Sequence, residues 1–310
     1  MAVLDEFPGI RVTVKINGQT APELADPNIA EQEPANHPTS SKYIECINGA
    51  NFAVRLCVTD DYDWKPRGHA LRLQVDVDGK SIISHIIREK DLWHGVYKTD
   101  VKGPMTYDVA TRQWKDGRCK FSVVRTVDDS KIDRVKRDVK VTKSLGQIQV
   151  FVFRCIYLGS TDPVPHYYTN VYTGTLEFSE KSLKGKAVSH GMSLSSLKTV
   201  PAPRTCSVKD LEADGGPIAE YRFHYRSRDA LRQEMIIPRT SSPGLSMASG
   251  LADMPRIQLE KLARERLEQL QAGRRFKRER GLDDKDSVIP RPAKISRCSD
   301  SPIVIDLTDD

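Results

Sequence analysis

No run of this 310-residue chain is both long and apolar enough to cross a bilayer. The longest apolar stretch, residues 148–158, has the length of a strand and is interrupted by Gln149 and Arg154. The opening Met1-Ala2-Val3-Leu4-Asp5-Glu6 lacks a basic region followed by a long apolar segment, and on that ground the protein is expected to stay inside the cell. Cysteine is sparse and scattered: Cys46, Cys57, Cys119, Cys155, Cys206 and Cys298 form no C-x-x-C pair and have no histidine at zinc-ligand spacing. That pattern excludes the common zinc modules and favours buried thiols over bridges. There is no P-loop, no G-x-G-x-x-G and no G-x-S-x-G, so no catalytic residue, cofactor or metal ligand is assigned from motifs.

Other chemistry-bearing side chains are dispersed. His85 sits in a strand-like run and reads as a packed or surface residue, whereas His94, after Trp93, and His190 are the histidines placed to line a pocket. Asp60, Asp61 and Asp63 beside Trp64 lack the glycine and terminal glutamate of a calcium loop and read as an acidic turn. Trp64, Trp93, Trp114, Tyr167 and Tyr168 admit two readings, a ligand platform like those of sugar-binding sandwiches or ordinary core packing.

What the chain does have, up to about residue 228, is alternation. Ile10, Val12, Val14 and Ile16 alternate with Arg11, Thr13 and Lys15, and Asn17-Gly18 supplies a turn. The same period recurs at Phe52, Val54, Leu56 and Val58, and at Leu71, Leu73, Val75 and Val77, after which Asp78-Gly79 closes a hairpin into residues 81–87. Further strands are expected over 120–127, 147–157 and 219–225, and a surface loop over the proline-rich residues 21–40. Helical patterns are short, at 179–184 with Ser179 as cap and Gly185 as stop, and at 128–140. Crossover helices for a parallel sheet are missing, so the expected fold is mainly β, an antiparallel β-sandwich or jelly-roll-like body.

Beyond residue 228 the character changes. Ser227 is placed to cap a short helix within a linker over 229–255, and residues 256–280 are expected to form a basic amphipathic helix with Leu259, Leu262, Ala263, Leu267 and Leu270 on one side. Residues 281–310 read as a disordered tail. The net charge of +6 is unevenly spread, for Arg274, Arg275, Lys277, Arg278 and Arg280 crowd one short region. Such a cluster resembles a nuclear import signal that pairs with an acidic groove on an import receptor. Its alternatives are a solvated helix end and a weak, salt-dependent contact with nucleic-acid phosphates. Phe276-Lys277-Arg278-Glu279 also resembles the SUMO-acceptor pattern with Lys277 as nucleophile, and Val135-Lys136-Arg137-Asp138 is a looser version.

The last eight residues carry the sharpest signal. Ile303, Val304, Ile305 and Leu307 are large and aliphatic, and Asp306, Asp309 and Asp310 are acidic. β-branched residues favour extended backbone, and a strand donated to a partner's sheet edge satisfies its main-chain groups there. Val304-Ile305-Asp306-Leu307-Thr308 resembles a SUMO-interacting motif. The competing reading is a final strand of the body itself. Ser299 and Ser301 lie just upstream, and Ser301-Pro302 has the form of a proline-directed phosphorylation site, where a phosphate adds about −1.5 to −2 charges.

Residues 1–10, Lys42-Tyr43-Ile44-Glu45, Gly49-Ala50-Asn51-Phe52, residues 179–190, Tyr225-Arg226-Ser227-Arg228-Asp229-Ala230-Leu231 and Ile236-Ile237-Pro238-Arg239 together resemble a fungal family of uncharacterised proteins, a domain of unknown function with a β-rich body and a charged tail. The resemblance covers about residues 1–240 and implies no catalytic residues. The expectation from sequence is a nuclear, non-enzymatic adaptor with SUMO or sumoylated proteins and an import receptor as partners and no membrane. The alternatives are a jelly-roll-type carbohydrate-binding or enzymatic domain, and a basic-arm chromatin binder.

Overall fold

A computed structural model of the chain describes residues 2–28, 36–65, 68–128, 131–165, 176–185 and 187–238, together with Arg264. The chain divides after Arg239 into two units, and apart from Arg264 all described residues lie in the first. Its body is mainly β. One sheet has the order β1 (Ala2–Leu4), β2 (Phe7–Ile16), β6 (Phe52–Thr59), β9 (Val96–Val101), with β3 (Gln19–Thr20) paired to β2 across the Asn17-Gly18 turn. The second has the order β4 (Glu23–Ala25), β5 (Thr39–Glu45), β17 (Ala219–Arg226), β13 (Gln147–Thr161), β7 (Ala70–Val77), β8 (Lys80–Ile87), and β16 (Thr205–Asp210) pairs with the far half of β13. A third sheet, β10 (Met105–Asp108), β11 (Gln113–Val123), β15 (His190–Val200), continues from the first through the Asn51–Lys120 bridge.

The alternation read from the sequence is what lets the first two sheets pack. Ile10, Val12, Val14, Val54, Leu56 and Val58 from one and Leu71, Leu73, Val75, Val77, Ile148, Val150, Val152, Tyr221 and Phe223 from the other share one core, each at most 2% exposed. Each such aliphatic side chain contributes about 1.5–3 kcal/mol of burial. Tyr221 reaches across the sandwich, its hydroxyl donating to the carbonyl of Ile10 at 3.0 Å.

Several expectations change in detail. The body is not antiparallel throughout: β5 and β17 pair in parallel, as do β12 (Arg125–Val127) and β14 (Glu177–Ser179). These partners are remote in sequence, and local turn signals do not report such pairings. The loop expected over 21–40 contains β4, which pairs with β5, and ends in β5 itself. The strand expected over 120–127 is two strands, β11 and β12. The helix expected over 128–140 is α1 (Ile132–Thr142). Ser179 stands at the cap of α2 (Glu180–Leu183), but its hydroxyl makes no capping bond; its backbone N–H instead donates to Asp138 at 2.8 Å. Ser227 does cap α3 (Arg228–Gln233), accepting from the Ala230 N–H at 3.3 Å, and Ala230 and Leu231 are buried within the first unit.

One carboxylate at the edge of this core collects donors from several strands. Asp78 occupies the β7–β8 turn at φ 51°, followed by Gly79 at φ 71°, the left-handed pair that a two-residue hairpin requires. Its carboxylate is enclosed by donors from remote segments and ties them together. Oδ1 accepts from the Tyr225 hydroxyl at 2.6 Å and the Gly146 N–H at 2.8 Å, and Oδ2 accepts from the Met192 N–H at 2.7 Å. Burial pushes its pKa above the ordinary carboxylate value, while the four hydrogen bonds from Tyr225, Met192, Gly146 and Gln147 pull it back.

Replacing Asp78 with Asn keeps the volume and tolerates the left-handed backbone, but it sets an amide donor against an N–H or O–H donor. We expect Asp78→Asn and Tyr225→Phe each to lower stability in urea unfolding at pH 7 by about 1–3 kcal/mol. An Asp78→Asn protein as stable as the parent would mean that desolvating the carboxylate costs as much as its hydrogen bonds return.

Candidate functional site

The described cavity opens at the outer face of the first sheet. It has a volume of about 410 Å³ and is lined by Lys15, Asn17, Gly18, Asn51, Phe52, Ala53, Asp100, Lys102 and Arg118. Strand alternation sets its composition. In the β2–β6–β9 ladder Lys15 pairs with Ala53 and Arg55 with Asp100, so charged side chains stand outward where Val14, Val54 and Val101 point to the core. Asp100 is held by the Arg55 guanidinium through Nε at 2.7 Å and Nη2 at 3.0 Å, and by Lys15 at 3.3 Å. The Arg55 hydrogen bonds are the main reason its pKa lies below the ordinary value, against the opposing pull of partial burial.

The other wall comes from β11. The Cys119 N–H donates to the Lys102 carbonyl at 2.7 Å, which sets Lys102 and Arg118 side by side. Gly103 makes this approach feasible, because a Cβ there would overlap the carbonyl of Gly117. Just beyond, the β11–β15 register shifts between Asp116 and Arg118, with Ser196 at φ 33°, an irregularity of the sort that re-aims a side chain. Ser195 donates to the Asn51 Oδ1 at 2.6 Å and so orients its amide.

A second polar cluster lies on the outer side of the β5–β17 pair. Ser41 donates to Asp26 at 2.5 Å, and the His224 Nε2 stands 3.8 Å from the same carboxylate oxygen while its ring stacks on Tyr43 at 4.9 Å between centroids. Both ring nitrogens of His224 are buried without a hydrogen-bond partner. Burial, reinforced by Arg226, pushes its pKa down to about 4, with Arg222 acting the same way and Asp26 and Glu220 opposing. The serine is bonded to the carboxylate rather than to the imidazole, so the trio does not form the relay in which a histidine takes a serine proton.

The residues singled out from sequence fall differently. Ile303, Val304, Ile305, Asp306, Leu307, Asp309 and Asp310, the basic Arg274, Arg275, Lys277, Arg278 and Arg280, and Ser299 and Ser301 all lie outside the described residues, as do Tyr167 and Tyr168. The tryptophans stand in three separate settings. Trp64 is buried edge-on to Tyr62, Trp114 faces Tyr107, and Trp93 is 79% exposed against His94. Asp61 and Asp63 accept from Thr59 and the Lys65 N–H within their turn, and no group of three metal-ligating side chains occurs among the described residues. His190 is buried, its Nδ1 bonded to Ser189 at 2.8 Å, and His85 is half-buried on β8. Lys136 of the looser acceptor pattern is exposed on α1, but the accompanying Asp138 is engaged by Ser179 and Arg134. Cys46, Cys57, Cys119 and Cys155 are buried free thiols, as expected, and burial pushes Cys46 up to about 12. No described helix is long and apolar enough to cross a membrane.

Sequence reasoning missed the cavity. Its only local signal was the outward charge at Lys15 and Arg55; the meeting of Lys102 with Arg118 depends on strand pairing. A family model described as a domain of unknown function, DUF7918, matches residues 9–240, and the chain belongs to that family. No curated protein and no solved structure matches the chain.

The depressed pKa of His224 has a thermodynamic consequence. Between pH 6.5, its unfolded value, and about 4, its folded value, only the unfolded chain takes up this proton, so the group's contribution is complete above pH 6.5 and is lost as pH falls through that window. The full loss is on the order of 3 kcal/mol. In a His224→Gln protein the stability deficit measured by urea unfolding at pH 7 should shrink toward pH 4.5; a deficit independent of pH would show that His224 is not held neutral.

Proposed function

We propose that this protein is a nuclear, non-enzymatic adaptor of fungal cells whose C-terminal segment binds SUMO, or proteins carrying it, by adding a strand to the modifier's sheet. The observation that carries this reading is the order of residues 303–310: four large aliphatic side chains in five positions, then acids. In an extended strand, alternate side chains fill pockets while the backbone completes a ladder. Asp306, Asp309 and Asp310 complement lysines at the rim, which speeds and orients encounter more than it deepens affinity. The position of the motif supports the reading, since it falls in the second unit, beyond the 9–240 span that the family shares. The cluster Arg274, Arg275, Lys277, Arg278 and Arg280 directs the protein to the nucleus through an import receptor; the alternative for it is a weak, salt-dependent contact with nucleic-acid phosphates. Lys277 accepts the modifier, and phosphorylation of Ser299 or Ser301 adds negative charge beside the apolar strand.

Titrating isotope-labelled SUMO with the full-length protein should shift resonances along one sheet edge, and Val304→Ala with Ile305→Ala should abolish the shifts while leaving the melting temperature of the body unchanged. Undiminished binding by the double variant overturns the proposal. Alanine at the five basic positions should move a fluorescent fusion out of the nucleus.

A further inference from the structure

The cavity on the first sheet is rich in donors and poor in acceptors. Its one carboxylate, Asp100, has both oxygens engaged by Arg55 and Lys15. The carbonyl oxygens of its two amides are engaged as well: Asn51 Oδ1 accepts from Ser195, and Asn17 Oδ1 accepts from the Asn51 N–H at 3.2 Å. Each amide therefore has its NH2 group left to offer. Lys102 and Arg118 are exposed and form no ion pair with another described residue. Lys98 adds a further cation on the outward face of the same ladder, while Arg11 there is paired with Asp61. A hollow of about 410 Å³ is within the range that takes a small ligand. Three ammonium or guanidinium groups around it, with two amide donors, complement several negatively charged oxygens at once.

We propose that this cavity binds a small, multiply charged oxyanion, a phosphate ester or a polycarboxylate, through Lys15, Lys102 and Arg118 with the amides of Asn17 and Asn51. Lys15 bridges the ligand and Asp100, and the Arg55–Asp100 pair holds it in place. Arg118 supplies the planar fork that grips two oxygens together, and Lys102 supplies a point charge.

The test is a residue-resolved amide NMR titration of the full-length protein at about 20 mM ionic strength, where screening is weak. Inorganic pyrophosphate and citrate are the two probes. A per-residue readout is needed because the basic cluster between Arg274 and Arg280 attracts anions as well. Saturable shifts are expected at Asn17, Asn51, Lys102 and Arg118, with a dissociation constant on the order of 0.1 mM, weakened about tenfold by Lys102→Ala or Arg118→Ala. Arg118→Glu should remove them. Both residues are exposed and form no ion pair with another described residue, so these variants should melt with the parent. Tighter binding of pyrophosphate assigns the oxygens to phosphate, and tighter binding of citrate assigns them to carboxylates. Shifts confined to the basic cluster, no saturation up to about 10 mM, or an affinity unchanged in Arg118→Glu each overturn the proposal.

Discussion

The rest of the body depends on a carboxylate that hydrophobic patterning alone would keep out of the core. Asp78 accepts from β17, β15 and Gly146, the residue before β13, and none of these is near it in sequence. An isolated ionised group in such a setting costs several kcal/mol, so the site is tolerable only with its donors in place. Those donors arrive only when the β7–β8 hairpin sits against β17 and β15 in one register. A slip of one residue would turn Tyr225 to the other face and leave the carboxylate unpaired. Asp78 therefore sets alignment more than it adds net stability.

That alignment extends to the surface features. β17 carries Tyr225 inward to Asp78 and His224 outward to Asp26 and Tyr43, so one register places both groups. β15 bonds to Asp78 through Met192 and three residues later presents Ser195 to Asn51 at the cavity. The cavity wall is thus built on strands whose positions the core already determines. A binding site on such a base loses little freedom when a ligand arrives, which favours affinity.

Much of this architecture was legible from alternation alone. β2, β6, β7 and β13 were readable because apolar residues recur with a period of two, β17 because its run of aromatic and apolar residues has strand length, and Asp78-Gly79 and Ser227 announced a turn and a cap through residue chemistry. β15 was not, since its Ser-Leu-Ser-Ser-Leu-Lys half is largely exposed and has no clean period of two. The parallel β5–β17 pairing was out of reach because nearly the whole body separates the two strands. Asp78 was visible as a turn residue but not as a buried one, because what buries it lies at residues 146, 192 and 225. The convergence of Lys102 and Arg118 had no sequence signature for the same reason.

Asp78 and His224 also oppose each other as the solution is acidified. A raised folded pKa means that the native state takes up the Asp78 proton more readily than the unfolded chain, so this group favours the fold at low pH and its contribution is lost as pH rises through the raised value. His224 has the reverse sign, its contribution complete above pH 6.5 and lost toward about 4. Both shifts have burial as their leading cause, and the signs differ because burial disfavours the charged form, which is the anion for one group and the cation for the other. Asp78 is bonded to Tyr225, the neighbour of His224 on β17, and the two groups partly cancel in the total pH dependence. Only single variants, in which one of the two is removed, expose the contribution of the other.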